Sequence, residues 1–315
     1  MRRRTAARAR AAAALAVLAL AAACRPRSDT LHTLWRIPLP AEGAAGRTLG
    51  LDSLGRAWIG LPGGLVALDS TGRVAGRVSV RGDSIPRLLW QGPGVLALST
   101  GSRGLARADA AGGEARGGWE SRALRGAARD PRGRWVYAAT RTGGVVGLDA
   151  RTLAPRWGWP DAGAEATGIA VSTLADRVYV ALGGDAEVMQ VRDAQSGRVL
   201  FASPQGGSLR QVAAAMDGSV YGVLGGRVVK LRHARDHLET LWSVSPGTGG
   251  EGEMVLRVDA AGRRLAVFRP GGRLLVLEPV RGAVVGRTRE APRDAAFDVR
   301  GRLWLLESRA VRVVR

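Results

Sequence analysis

Short apolar runs separated by turn residues recur along this chain. In residues 51–74, LDSLGRAWIGLPGGLVALDSTGRV, three such runs are divided by turn signals at 52–55, 62–64 and 69–72. Short apolar runs bounded by Gly, Pro, Asp and Ser predict β-strands joined by tight turns. Beyond the N-terminus no long segment has helical apolar spacing, so the pattern predicts an all-β protein.

The same phrase returns with a period of about 40 residues and roughly four strands in each repeat. One strand of each repeat, usually opened by paired glycines, ends at Asp69, Asp109, Asp149, Asp193, Arg232, Glu278 and Val314. The strand after it carries an aromatic residue in several repeats, at Trp119, Trp157, Phe201 and Trp242. We therefore predict a single seven-bladed β-propeller of four-stranded antiparallel blades, with six and eight blades as the alternative counts.

The two ends of the chain are predicted to complete each other. The seventh repeat reaches Arg315 without an outermost strand, and residues 31–38, LHTLWRIP, are similar to the outer strand ETLWSVSP at 239–246. We expect the N-terminal strand to pair with the last blade, because this closure removes the sheet edges that an open array exposes.

The repeats resemble known propeller families. DSLGRAWIGLPGGLVALD, at 52–69, resembles the repeat of two-component-regulator sensor propellers. LDARTLAPRW at 148–157 and RDAQSGRVLF at 192–201 resemble quinoprotein and YVTN-type repeats. The resemblance covers most of the chain and implies a propeller fold. The motifs concern turns and blade packing, which enzymes, sensors and scaffolds share, so they imply no particular activity.

The N-terminus has the organisation of an export signal. A basic segment at 1–10 precedes an apolar segment at 11–23 that is too short to span a bilayer as a mature helix. LAAAC, at 20–24, resembles the lipobox of bacterial lipoproteins, which implies cleavage before Cys24 and its acylation. The alternative is ordinary cleavage that leaves one free thiol. We thus expect a signal peptide at 1–23, a polar tether at 24–30 and the propeller at 31–315.

The resemblance to lipoproteins also implies a location. Asp after the acylated cysteine retains Gram-negative lipoproteins at the inner membrane, whereas this chain has Arg25. We therefore expect the protein on the periplasmic side of the outer membrane, held there by its lipid anchor.

The formal net charge of +20 suggests a polyanion partner at first sight. Five arginines lie within the predicted signal peptide, and their removal leaves +15. The remaining cations are arginines apart from Lys230, in an Ala- and Gly-rich composition that a GC-rich genome produces whatever the function. A solvated basic surface is thus favoured over a polyanion site, and we expect no nucleic-acid partner.

Residues that carry catalysis or bind metals are scarce. His233 and His237 lie four residues apart without a third ligand, and His32 lies on the closing strand, so we expect no metal site and no cofactor. The recurring acids Asp52, Asp130, Asp217, Asp259 and Asp298 precede turn glycines, where a short carboxylate accepts backbone hydrogen bonds.

One recurrence is not explained by turn chemistry. Arginine occupies the position where the chain joins the innermost strand in five repeats: Arg47, Arg87, Arg125, Arg210 and Arg293. The other two repeats carry Thr167 or Gly168, and Met254, there. At the mouth of the central channel five guanidinium groups would form a ring that receives carboxylate or phosphate. Alternatively, abundant arginine occupies this position by chance and the side chains pair with acids of the loops.

Two functions follow as hypotheses. The first is an exported binding or scaffold module with an envelope protein or a small anionic ligand as partner. Lipoprotein propellers of the outer-membrane barrel-assembly machinery are an analogy for it in fold and location. The second is a lactonase- or lyase-type enzyme with Glu165, Glu253 or Asp294 as the base, which requires two acids within about 6 Å and a raised pKa. For the binding or scaffold module, we expect a monomer without catalytic residues.

Overall fold

The computed structural model describes residues 29–315 except 53, 82–84, 86, 92–94, 99–103, 110–111, 122, 160–163, 185–187, 204–206, 235–236, 260, 289 and 291. Cys24 and the predicted signal peptide lie outside the described residues. Within the described ranges one short 3-10 helix, Ala41–Ala45, accompanies the strands. No helix in that part of the chain is long and apolar enough to cross a membrane.

Over the described residues the strands pair into seven sheets. The chain opens with β1 (Asp29–Thr30) and β2 (Thr33–Pro38). Sheet 1 contains β3 (Thr48–Leu51), β4 (Ala57–Leu61), β5 (Gly64–Leu68) and β6 (Val74–Ser79). Sheet 2 contains β7 (Arg87–Gln91), β8 (Val95–Leu98), β9 (Leu105–Ala108) and β11 (Arg116–Trp119). The short β10 (Gly113–Glu114) pairs parallel with β6 at the outer edge of sheet 1. Sheet 3 contains β12 (Leu124–Arg129), β13 (Trp135–Thr140), β14 (Val145–Asp149) and β15 (Pro155–Trp159).

The second half of the chain repeats this organisation. Sheet 4 contains β16 (Glu165–Val171), β17 (Arg177–Gly183), β18 (Met189–Asp193) and β19 (Val199–Ala202). Sheet 5 contains β20 (Leu209–Ala214), β21 (Val220–Leu224), β22 (Arg227–His233) and β23 (Leu238–Val244). Sheet 6 contains β24 (Val255–Val258), β25 (Leu265–Phe268), β26 (Leu275–Leu277) and β27 (Val284–Arg287). Sheet 7 contains β28 (Asp294–Phe297), β29 (Leu303–Leu306) and β30 (Ala310–Val314).

Burial explains why the middle strands read as continuous apolar runs rather than as alternating ones. In β4 the first four residues, Ala57 to Gly60, are all buried, because neighbouring sheets cover both faces of the strand. The outer strand β6 alternates instead, with Val78 buried between exposed neighbours. A strand with one free face needs apolar residues only at every second position.

The sheets pack face to face in succession. The first strand of each sheet contacts the first strand of the next, and β28 contacts β3. Each apolar cluster lies between two successive sheets. One of these clusters joins Trp304 and Val311 of sheet 7 to Ile59 of sheet 1. The predicted all-β propeller built from four-stranded antiparallel blades is therefore confirmed.

The N-terminal segment adds strands to two sheets. β2 pairs antiparallel with β30, from Thr33 opposite Val314 to Pro38 opposite Ala310. β1 pairs parallel with β27 at the outer edge of sheet 6. Asp29 and Thr30 are the last two residues of the predicted polar tether, and the edge of β27 offers them backbone partners that composition does not reveal.

Candidate functional site at the channel mouth

The first strands of four successive sheets are irregular where they line the channel. The pairing register shifts in β7, β12, β16 and β20, each against the second strand of its own sheet. The residues left without a partner in the ladder are Leu89, Arg125, Thr167, Gln211 and Val212. Such bulges bend a strand and redirect the side chain of the extra residue. In β24, β28 and β3 the register is continuous.

The bulged strands and β24 line an open cavity of about 300 Å³. Its apolar lining residues are Leu88, Leu89, Ala127, Ile169, Val212 and Leu256, together with Gly126 and Gly168. Its polar lining residues are Arg125, Thr167, Gln211 and Arg257. Polar atoms provide most of the cavity surface, so the cavity suits a polar ligand.

Two backbone features shape this cavity. Gln211 has φ of +52°, a left-handed conformation that costs a non-glycine residue free energy and persists where the surroundings impose it. Gly168 lies opposite, and a Cβ atom placed on it would be 3.1 Å from the Val212 amide nitrogen. Glycine is needed at this position because β16 and β20 approach each other closely here.

Two of the five predicted arginines meet at one carboxylate. Glu253 Oε1 lies 3.5 Å from Arg125 Nη2 and 3.3 Å from Arg210 Nη1. Arg125 belongs to sheet 3 and Glu253 precedes β24 of sheet 6, so the Arg125–Glu253 ion pair spans the mouth of the channel. All three side chains remain 37–53% exposed to solvent. Because the mouth is open, an external anion can reach both guanidinium groups and compete with Glu253.

The other three predicted arginines also lie where the chain joins a first strand. Arg293 is half-buried and donates a hydrogen bond from Nη1 to the carbonyl oxygen of Gly46 at 3.2 Å. Arg47 follows that glycine and is exposed. Arg87 is the first residue of β7, and its side chain lies outside the described part of the structure. The structure thus brings Arg125 and Arg210 to a common partner, and it directs Arg293 toward the backbone.

The remaining acids considered as bases are held by arginines as well. Glu165 Oε1 lies 3.6 Å from Arg141 Nε at the same face. Asp294 is buried, and its Oδ1 accepts a hydrogen bond from Arg257 Nη2 at 2.9 Å. Its Oδ2 accepts the backbone N–H of Leu49 at 2.9 Å. Asp294 of β28 therefore bonds residues of β24 and β3, and these contacts indicate a role in stability.

Sequence reasoning missed Arg257 and the bulges. An arginine in the middle of the apolar run VLRV is a signal that could have identified Arg257, since a cation in a buried strand requires a partner. The bulges have no common residue type, because Leu89, Arg125 and Thr167 occupy equivalent positions. They follow from backbone pairing, which the sequence does not display.

The turn acids have the structural role predicted for them. Asp298 Oδ1 accepts the backbone N–H of Arg300 at 2.9 Å, and Oδ2 accepts Arg302 Nε at 2.6 Å and Trp304 Nε1 at 3.1 Å. Asp52 has the same arrangement in sheet 1. Burial alone would raise the pKa of Asp298, but the bonds from Trp304 and Arg302 outweigh it and lower the pKa below its usual value.

The two histidines considered for a metal do not form a ligand set. His233 stacks on Phe201 with ring centroids 4.2 Å apart. Burial, with the nearby charge of Arg177 as a smaller cause, lowers the pKa of His233. No group of three His, Cys, Asp or Glu side chains suited to a metal occurs in the described ranges.

Comparison with known proteins identifies the fold. No protein-family model matches the chain, and no curated protein matches its sequence. Among solved structures, the chain is similar to hydrazine synthase of Kuenenia stuttgartiensis, with a TM-score of 0.68 and 14% identity over 86% of this chain and 96% of that one. It is similar to the β-propeller domain of Cps50 (Swd1) from Myceliophteria thermophila, with a TM-score of 0.69 and 13% identity over 90% of this chain and 99% of that one.

A third likeness is to BamB from Moraxella catarrhalis, with a TM-score of 0.59 and 21% identity over 91% of this chain and 98% of that one. The chain spans nearly the whole length of all three structures. At these identities the likeness shows a β-propeller and carries no activity from one protein to another.

Proposed function

We propose that this chain is an exported, lipid-anchored, seven-bladed β-propeller that acts as a binding or scaffold module. The seven sheets support the blade count, and the pairing of β2 with β30 supports closure by the N-terminal strand. The cluster that packs sheet 7 on sheet 1 supports a complete ring. We assign the repeats to the YVTN- and quinoprotein-like class on the motifs quoted above.

The lipid anchor is the second part of the proposal. Acylation of Cys24 would hold the protein at the periplasmic side of the outer membrane, and Arg25 supports that location. Several acyl chains bind a membrane stably, whereas one chain binds only weakly. Mass spectrometry of the protein extracted from bacterial envelopes tests this step, because an acylated Cys24 and a free thiol differ in mass.

The third part is an anion site at the channel mouth. The observation that carries it is the convergence of Arg125 and Arg210 on Glu253 above the cavity. Two guanidinium groups that share one exposed carboxylate retain unused donors, which suit a carboxylate or phosphate ligand. The cavity beneath has a mostly polar surface and would take a polar part of the same ligand. We therefore propose a small polar anion, or an acidic side chain of an envelope protein, as the partner.

Glu253 provides a sharp test, because it occupies the proposed site as an internal competitor. The neutral variant Glu253→Gln should bind anions about five-fold more tightly than the wild type, the equivalent of about 1 kcal/mol for an exposed ion pair. Calorimetric titration at low salt with acetate, inorganic phosphate, glucuronate and polyglutamate measures this effect. Arg125→Ala/Arg210→Ala should abolish binding in the same titrations.

Arg227→Ala is the control, since Arg227 lies at the outer part of sheet 5 and bonds Ser243 and Ser245. It removes a guanidinium group and should leave anion binding unchanged. Equal binding by the wild type and the Arg125/Arg210 variant would contradict the site. A loss of affinity in Glu253→Gln would also contradict it, because Glu253 would then belong to the ligand contacts.

A further inference from the structure

The most exposed apolar side chains of the described chain lie on turns far from the channel mouth. Leu54, Leu174, Met216 and Val299 lie between the first and second strands of sheets 1, 4, 5 and 7, and Val280 lies between the third and fourth strands of sheet 6. Their exposed fractions range from 57% to 80%. We call the surface formed by the turns after β3, β12, β16, β20, β24 and β28 the turn face.

The geometry places these turns on one surface. The first strands begin together at the mouth, where Glu253 meets Arg125 and Arg210, and they run side by side around the channel. Their far ends therefore lie together at the opposite side. Direct contacts agree with this, since Gly262 after β24 packs against the side chain of Met216 after β20.

An arginine-lined cleft opens on the same face. It has a volume of about 500 Å³ and lies between the turns after β24 and β28. Its charged lining residues are Arg263, Arg264, Arg300, Arg315 and Asp259, and the exposed Val299 borders it. Arg263 and Arg300 are exposed, and neither forms an ion pair within the described part of the chain.

The carboxylates of these turns are buried or paired with cations outside the cleft. Asp259 is buried, and its Oδ1 accepts the backbone N–H of Arg263 at 2.6 Å. Asp52 and Asp298 are buried in equivalent positions. The half-exposed Asp176 and Asp217 lie 3.6 Å from Arg177 Nε and 2.7 Å from Lys230 Nζ. Surfaces that bind anionic lipid bilayers combine exposed apolar side chains with arginines that have no carboxylate partner. The turn face has both.

The chain enters the described structure beside this cleft. The backbone N–H of Arg315 donates to the His32 carbonyl oxygen at 3.1 Å, and the N–H of His32 donates to the Arg315 carbonyl oxygen at 3.2 Å. Asp29 precedes His32 by three residues and follows Cys24 by five. Five residues span at most about 18 Å when extended. An anchor on Cys24 would therefore hold the cleft near the membrane surface.

We propose that the turn face docks on an anionic phospholipid surface, with its apolar tips among the headgroups and the cleft arginines on lipid phosphates. The channel mouth then faces away from the membrane and stays open to its partner. The orientation rests on the lipid anchor proposed above, whereas binding of the turn face to lipid needs only the described surface.

Vesicle flotation of the exported chain carrying Cys24→Ser tests the docking without an acyl group. The protein should bind vesicles of equimolar phosphatidylcholine and phosphatidylglycerol and not vesicles of phosphatidylcholine alone. Arg263→Ala/Arg300→Ala should weaken this binding about 30-fold, as expected for two arginines near a charged surface. The matched control Arg141→Ala/Arg227→Ala removes the same charge from residues outside both proposed sites and should retain wild-type binding.

A single labelled thiol locates the contact. Cys24 is the only cysteine, so Val299→Cys in the Cys24→Ser chain supplies one site for an environment-sensitive dye. Its emission should shift to the blue on phosphatidylglycerol vesicles, and the same dye at Ser208→Cys near the mouth should not respond. Thermal unfolding of each variant confirms that it is folded.

Equal loss of binding in the two double-arginine variants would overturn the proposal, because net charge alone would then explain it. Absence of binding to the anionic vesicles, or a dye response at Ser208→Cys and not at Val299→Cys, would overturn it as well. These outcomes are independent of anion titration at the mouth, so failure of docking and failure of the anion site are distinguishable.

Discussion

The two sides of the channel wall differ in how they use polar residues. The bulged side, β7, β12, β16 and β20, directs Arg125, Thr167 and Gln211 into an open cavity. The regular side, β24, β28 and β3, keeps its ladder intact and is joined by the ion pair between the buried Asp294 and the half-buried Arg257. No residue of β3 or β28 lines the cavity. The bulged strands thus shape the candidate site, and the regular strands hold neighbouring sheets together.

The turns that follow the first strands also differ between the regular side and the bulged side. Each of its three first strands is followed by a buried aspartate that faces an arginine a few residues later: Asp52 and Arg56, Asp259 and Arg264, Asp298 and Arg302. On the bulged side, β12 is followed by the buried Asp130, which accepts the backbone N–H groups of Arg134 and Trp135. β16 is followed by Ser172, which bonds Asp176. Substitutions on the regular side should therefore affect stability, and those on the bulged side should affect binding.

The largest effect is expected for Asp294→Ala. The substitution removes the carboxylate partner of the half-buried Arg257 and the acceptor of the buried Leu49 N–H. The two losses together should cost about 3 kcal/mol in the free energy of unfolding. Denaturant titration followed by tryptophan fluorescence measures this loss. Glu253→Ala, which breaks the exposed pairs of the bulged side, should cost less than about 1 kcal/mol. Similar losses in both variants would refute the comparison.

A second effect should appear at Asp298. In Asp298→Ala the buried Trp304 N–H and the Arg302 guanidinium lose their acceptor, at a cost of about 2 kcal/mol at neutral pH. Because folding lowers the pKa of Asp298, its contribution is present above the ordinary aspartate pKa and is lost as pH falls through the folded value. The difference in unfolding free energy between wild type and variant should therefore shrink on acidification. Asp69→Ala, at an exposed turn, should show a smaller loss at neutral pH.

The smallest effect is expected for Gln211→Gly on the bulged side. Glycine adopts the positive φ of this position without strain, so the variant should gain about 0.5 to 1 kcal/mol of stability. Ala213→Gly, two residues further along β20, should lose stability. Glycine there relieves no strain and only increases the conformational entropy that the chain loses on folding. Differential scanning calorimetry distinguishes the two signs. A loss in both variants would show that Gln211 is not strained.

The sequence allowed most of the fold to be predicted. The apolar runs, the turn acids and the period of the repeats identify the strands, because each depends on residues close together in the chain. The position of Arg125 and Arg210 at the start of first strands was likewise predictable from the repeat. Their common partner was not, since Glu253 is 128 residues from Arg125 in the chain.

What the sequence by itself determined is the local and repeated part of this protein: four-stranded blades, their turns, and a row of arginines at equivalent positions. Tertiary structure alone decided which arginines meet, which strands bulge and where the exposed apolar turns gather. The physical reason is that packing of the sheets brings together residues from separate repeats. Backbone pairing then adjusts strand by strand, because the sheets that pack on one another are unequal.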